Sequence, residues 1–260
     1  MKYLAFTIMS MKKSLYYRKS SGLTIFFSCF EIYILSLFWK AIYIDNYQMY
    51  KFMLFYSILS QIMNTMYFFN LKLSQNIRSG DLSVELLRPL HYIGVLYFEN
   101  LGEAFGKIVT VAIPVLIISI FFLKFPIIGI MQFSIWIICI FLSFILLFLI
   151  KAITELACFW FVEAWSLGYI VNTLIRLLSG SFLPSFLVTS NLEKAMNNLP
   201  FIWIYQKPIE LYIEGVGQST INLSAYYKIW GNQLLWILGL SMCVCFLWTS
   251  GRKKIMIQGG

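Results

Sequence analysis

The chain has 260 residues, of which 60% are hydrophobic and only 12% charged, with a formal net charge of +9. A mean hydropathy of +0.78 is too high for one water-facing core, since soluble chains run near ~25% charged. The composition excludes collagen-like, disordered and disulfide-scaffold classes and leaves a chain that needs a bilayer as part of its solvent.

Before the first long apolar run come Lys2, Lys12, Lys13, Arg18 and Lys19, with Leu4, Ile8, Met11 and Leu15 at helical spacing among them. This reads as an amphipathic helix over 1–20 lying in the membrane interface. It lacks the uninterrupted apolar core and cleavage site of a signal peptide. Six stretches can then cross the hydrocarbon as helices, 22–44, 50–70, 95–123, 127–150, 152–178 and 228–249, because ~20 mostly apolar residues suffice. Continuous apolar runs such as 135–150 exclude a strand barrel, which needs alternation. The fold class expected is an all-α polytopic membrane protein with six transmembrane helices, an N-terminal interfacial helix and both termini cytosolic. It forms a single transmembrane domain over 1–260.

Charge placement supports that orientation. With the N-terminus inside, twelve basic residues flank the inner span ends and six the outer ones (Lys40, Lys51, Lys124, Lys194, Lys207 and Lys228). The bias follows the positive-inside rule. It assigns the net positive charge to the membrane surface, with no nucleic acid as partner. Cys29, Cys139, Cys158, Cys243 and Cys245 all sit in apolar stretches, so they read as packing thiols, not a disulfide framework or a metal site.

The first span carries Glu31. The third carries Glu99, Glu103 and Lys107 at i, i+4, i+8 on one face, beside Gly102 and Gly106, whose small-xxx-small spacing admits a second helix. Pro114 removes a backbone donor mid-span and predicts a kink. Gly102 to Ile108 superficially suggests a phosphate loop, but three residues separate the glycines and Ile108 stands where Ser or Thr would hold magnesium. The fourth span, with seventeen Leu, Ile or Phe over 127–150, is inert. The fifth has only nine Leu, Ile, Val or Phe between Ala152 and Leu174 and includes Glu155 and Glu163, with Arg176 near its end. At about 2.5–3.5 kcal/mol per buried charge, that span faces protein or water, or its carboxyls are protonated. Glu31, Glu99, Glu103, Lys107, Glu155, Glu163 and Arg176 are therefore candidates for a translocation path or for interhelical pairs. The lone histidine, His91, reads as an interface residue. No catalytic triad, metal motif or clustered loop carboxylates appear.

Between the second and third spans, Gly80 ends one helix and Asp81 can cap the next, which Pro89 terminates at Arg88. Asp81, Glu85 and Arg88 share a face, with Leu82, Leu86 and Leu87 covering much of the rest. Such a short amphipathic helix suits docking to a soluble partner. The run Gly80-Asp-Leu-Ser-Val-Glu-Leu-Leu-Arg-Pro-Leu90 resembles the cytosolic loop of ABC-2 type permeases, the membrane subunits of ATP-binding-cassette exporters. Ser179-Gly180-Ser181-Phe182-Leu183-Pro184 and Leu199-Pro200-Phe201 are similar to that family's G-x-x-x-P and L-P-F elements. The resemblance implies a coupling segment over 71–92, with Arg78, Gly80, Asp81, Leu82, Glu85, Leu87, Arg88 and Pro89 meeting a separate ATPase. It also implies a second permease chain, an external re-entrant or looped segment over 179–227, and no cofactor in this chain, ATP and magnesium being held by the partner. An ion-coupled secondary transporter using the intramembrane glutamates is the competing reading. A membrane-embedded enzyme is poorly served by one histidine.

Overall fold

The computed structural model describes residues 2–16, 18–67, 71–79, 81–87, 89–161, 164–216 and 223–258. It is 86% helical, and no strand occurs among the described residues. The helices are α1 (Lys2–Tyr16), α2 (Arg18–Ile42), α3 (Tyr47–Tyr67), α4 (Leu73–Ser79), α5 (Asp81–Leu86), α6 (Tyr92–Lys107), α7 (Ile113–Leu123), α8 (Ile130–Leu156), α9 (Ala164–Leu178), α10 (Ser190–Asn197), α11 (Gln206–Glu214) and α12 (Leu223–Gln258).

Four stretches among the described residues are long and apolar enough to cross a membrane: Ser20–Ile42, Tyr92–Leu123, Ile130–Phe159 and Tyr226–Lys254. Helix α3 has 21 residues, enough for ~30 Å at 1.5 Å per residue. It falls outside that set because one of its faces is polar. Ser166–Leu178 is a shorter apolar helix.

Helices α2 and α3 form an antiparallel pair, fixed by Trp39 Nε1 donating to Ser57 Oγ at 2.9 Å and Gln61 Nε2 to Ser28 Oγ at 3.3 Å. Helices α8 and α12 run side by side in the same direction. Trp230 and Gln233 lie against Cys139, and Gly251 lies against Phe159.

The boundary expected between the fourth and fifth spans is corrected. Helix α8 does not stop at Ile150 but continues through Lys151 and Glu155 to Leu156, followed by a 3-10 turn at Ala157–Phe159. Glu155 therefore belongs to the end of the fourth long helix. Lys151 and Glu155 can sit inside it because both reach backbone groups of a neighbouring segment, as shown below.

Pro114 acts through the helix geometry. The five residues Ile108–Ala112 form a π-helical turn, closed by the Ile113 N–H donating to the Ile108 carbonyl. The wide turn continues the hydrogen-bond ladder into α7, which Pro114 enters at its first turn, where a missing donor is tolerated. Lys124 ends α7 in the left-handed region with φ of 51°.

The glycines of the third long helix have a specific tenant. Helix α1 lies lengthwise along α6, in the same direction, with Tyr3 stacked on Phe98 at 5.3 Å and Thr7 Oγ1 donating to the Phe98 carbonyl at 3.1 Å. A Cβ at Gly102 would collide with the Thr7 backbone, and one at Gly106 with Ser14. The small-xxx-small spacing thus admits α1. Of the predicted apolar stripe, Leu4 and Ile8 face outward, 60% and 46% exposed.

Residues 179–216 are compact short helices, with 3-10 turns at Ser185–Leu187 and Pro200–Trp203. Ile202, Ile204 and Ile209 are fully buried. Gly180 adopts φ of 75°, a conformation that costs an L-residue about 1–2 kcal/mol. Its carbonyl accepts from Tyr56 Oη at 2.6 Å, which ties the element back to α3.

Candidate functional site

Three helices of this greasy chain each carry a polar stripe at helical spacing, and the fold points all three at one space. On α2 the stripe is Ser20, Thr24, Ser28 and Glu31. On α3 it is Tyr56 and Ser57, Ser60 and Gln61, Asn64 and Thr65. On α6 it is Glu99, Asn100, Glu103 and Lys107, continued by Thr110 of the π turn, with Leu96 and Val111 lining the same space. Residues i, i+4 and i+8 share a helix face, so the stripes form continuous walls. Together they enclose a cavity of about 1020 Å³. Ser10, Lys13 and Ser14 of α1 close one side, Lys72 stands at the start of α4, and Thr173, Arg176, Leu177, Ser181 and Phe182 close another.

The cavity gathers Glu31, Glu99, Glu103, Lys107 and Arg176, five of the seven candidate path residues. Lys107 Nζ lies 3.3 Å from Glu103 Oε1, with both side chains partly exposed. Charged groups are costly in hydrocarbon unless they face water or partners, and here they face a shared polar volume. Glu155 is not among them. Its Oε2 accepts the Ser74 backbone N–H at 2.9 Å, at the start of α4. Four residues earlier Lys151 Nζ donates to the Tyr67 carbonyl at 3.4 Å, at the end of α3. Glu163 lies outside the described residues.

Lining residues that charge-based reading passed over include Thr24, Ser28, Ser60, Gln61, Asn64, Thr65 and Asn100. The signal that finds them is their four-residue recurrence within otherwise apolar helices.

The cytosolic-loop candidates form a separate unit. Asp81 opens α5 and accepts from Ser79 Oγ at 2.7 Å. Of the three leucines, Leu82 alone is buried, at 2% exposure. Leu86 and Leu87 are exposed at 40% and 85%, beside Val84 at 59%. Glu85 is half-buried, Pro89 exposed, and Arg78 lies on α4. Gly80 and Arg88 lie outside the described residues. The segment is anchored from above: Asn76 Nδ2 donates to Tyr92 Oη at 2.8 Å, and the Tyr92 ring stacks on Trp248 at 5.7 Å.

A second polar cluster is dry. Gln233 of α12 is fully buried and its Nε2 faces Ser143 Oγ and the Trp203 carbonyl, each at 3.0 Å, and the Cys139 carbonyl at 3.3 Å. Ser143 Oγ also donates to Trp203 at 3.1 Å. These bonds fasten the L-P-F element, whose Pro200 opens the 3-10 turn, onto α8 and α12.

Long apolar helices around a polar, charge-bearing cavity define a membrane transport protein. The chain belongs to the ABC-2 family of transporter proteins, whose family model matches residues 23–259. No curated protein and no solved structure matches the chain.

Proposed function

We propose that the chain is the permease subunit of an ATP-driven exporter, crossing the cell membrane with six helices and both termini cytosolic. Helix α3 supplies a fifth crossing, and α9, 15 residues long, a sixth that covers only ~22 Å and is completed by the segments flanking it. The observation that supports it best is the cavity itself: its walls are built by polar stripes on helices that are otherwise apolar, which serves passage of a cargo better than packing. The segment around α4 and α5 docks on a separate ATPase, which holds ATP and magnesium. Asp81 and Glu85 with the exposed Val84, Leu86 and Leu87 form the mixed surface offered to it. A second permease chain, identical or related, completes the path, and ATP-driven closure of the paired motors changes access to it. Residues 179–216, packed among α3, α8 and α12, close the outer end. Glu155, committed to the Ser74 N–H, is poorly placed for the proton site that an ion-coupled transporter needs.

The test is reconstitution of the chain with the ATPase that copurifies with it. Glu85→Lys is expected to leave expression and cavity intact while lowering ATP-driven transport by about tenfold, in line with loss of one charged contact at an interface. Unaltered transport and assembly in that variant contradict the docking role.

A further inference from the structure

At the end of the cavity bounded by residues 176–182, two opposite charges flank one turn of α3. Ser60 Oγ donates to the Ser181 carbonyl at 2.6 Å, and Ser181 Oγ donates to the Arg176 carbonyl at 3.2 Å. The next residue of α3, Gln61, donates through Nε2 to Ser28 Oγ at 3.3 Å, and Glu31 lies one turn further along α2. Adjacent residues of α3 thus hold the segment that carries Arg176 and the helix that carries Glu31, and both charges line the cavity. Glu103 and Lys107 pair with each other at 3.3 Å, whereas Glu31 and Arg176 have no ion-pair partner among the described residues. A charge inside a membrane span is costly without one, so both are left for water or for a ligand. Their surroundings are amphipathic. Phe27 and Leu35 lie one turn before and one turn after Glu31 on the same face of α2, and Leu177 and Phe182 line the cavity on the Arg176 side. Before Phe27, by contrast, α2 contributes only Ser20, Ser21 and Thr24.

We propose that this end of the cavity is a binding site for a zwitterionic amphiphile, a molecule with an ammonium and an anionic group, phosphate or carboxylate, beside an apolar part. Arg176 takes the anion, for which the guanidinium fork is suited, and Glu31 takes the ammonium. Phe27, Leu35, Leu177 and Phe182 take the apolar part. A cargo with one charge alone leaves the opposite residue desolvated and unpaired, which selects against it. The chemistry has two sources, the phosphoethanolamine headgroup of a lipid and the free ends of a short apolar peptide. The inference names a cargo class for the exporter and rests on that reading for its purpose, while the binding itself needs no ATPase.

The test is isothermal titration calorimetry of the full chain in dodecyl maltoside, with the heat of empty micelles subtracted. The probes are dihexanoylphosphatidylethanolamine, a zwitterion, dihexanoylphosphatidylglycerol, an anion alone, and trileucine. Wild type is expected to bind the ethanolamine lipid about tenfold more tightly than the glycerol lipid, in line with one charge-assisted hydrogen bond. Glu31→Gln should erase that preference, whereas Arg176→Gln should weaken both lipids by about tenfold and keep it. Because each variant is read as a ratio between probes, a general loss of folding does not imitate the pattern. Trileucine identifies the source: its binding, weakened by both variants, extends the site to peptides or, if neither lipid binds, assigns it to them, and its failure beside a bound ethanolamine lipid assigns the site to headgroups. Failure of both zwitterions to bind, equal affinity for the two lipids, or a preference that survives Glu31→Gln overturns the proposal. Transport in liposomes with the copurified ATPase then separates the two readings. Selective binding without ATP-driven movement of the bound probe removes the exporter reading and keeps the site. ATP-driven transport that both Glu31→Gln and Arg176→Gln leave untouched keeps the exporter reading and removes the site.

Discussion

Around the cavity, α2, α3 and α6 present carboxylates, lysines, hydroxyls and amides to a shared open volume, whereas at the meeting of α8, α12 and the 200–203 turn, Gln233, Ser143 and the Trp203 carbonyl are closed off from solvent and bonded to one another. The first region carries seven charged side chains (Lys13, Glu31, Lys72, Glu99, Glu103, Lys107 and Arg176); the second carries only neutral groups. Charge is tolerable where water or cargo can solvate it, and a dry polar cluster survives only when its members satisfy each other. Even there one atom, Gln233 Oε1, is buried without a hydrogen-bond partner, so the cluster is held together by its donors. The difference teaches that polarity inside this membrane protein has two uses: lining an open cavity, and locking an element in place.

The comparison breaks first if α1, which closes one side of the cavity, can be displaced without consequence. Gly102→Leu should have the largest effect, about 3 kcal/mol or more, because the new side chain meets the Thr7 backbone and must push α1 off α6. Limited proteolysis should then cut within residues 2–16 faster than in wild type. Next comes the dry cluster. Gln233→Leu should lower stability by about 2 kcal/mol, as Trp203 and Ser143 lose a buried donor, read as a drop in thermal unfolding temperature in detergent. The cavity wall should respond least in stability and most in transport. Glu31→Gln combined with Asn64→Ala removes two lining groups and should change stability by less than about 0.5 kcal/mol, while altering transport by the reconstituted complex. If that double variant instead destabilises the fold as Gln233→Leu does, the cavity residues are packing residues and the distinction between the regions fails.

Much of this was legible in the sequence, because apolar length and the G-x-x-x-G spacing are strong local signals. The glycines at 102 and 106 announced a close helix contact, though not that α1 would make it, since a partner at a sequence distance of 91 residues leaves no local trace. Charged residues stood out against apolar runs, and five of the seven were indeed brought together. The hydroxyl and amide stripes on α2 and α3 were missed because Ser, Thr and Asn are only mildly polar one at a time and gain meaning through spacing. Lys151 looked like the end of a span because a charge in a helix is normally costly. The structure offsets that cost with the Tyr67 carbonyl, a contact that depends on the fold of α3. Gln233, next to Asn232 on α12, gave no sign of the three acceptors waiting on α8 and the 200–203 turn.

The central claim is that the space between α2, α3 and α6 is a water-filled route. Asn64→Cys and, separately, Ser143→Cys, each in a background whose five native cysteines are replaced by alanine, test it by reaction with a membrane-impermeant thiol reagent in sealed vesicles. The account predicts rapid labelling at position 64 and none at position 143. Protection at position 64, or equal labelling at both, would contradict it.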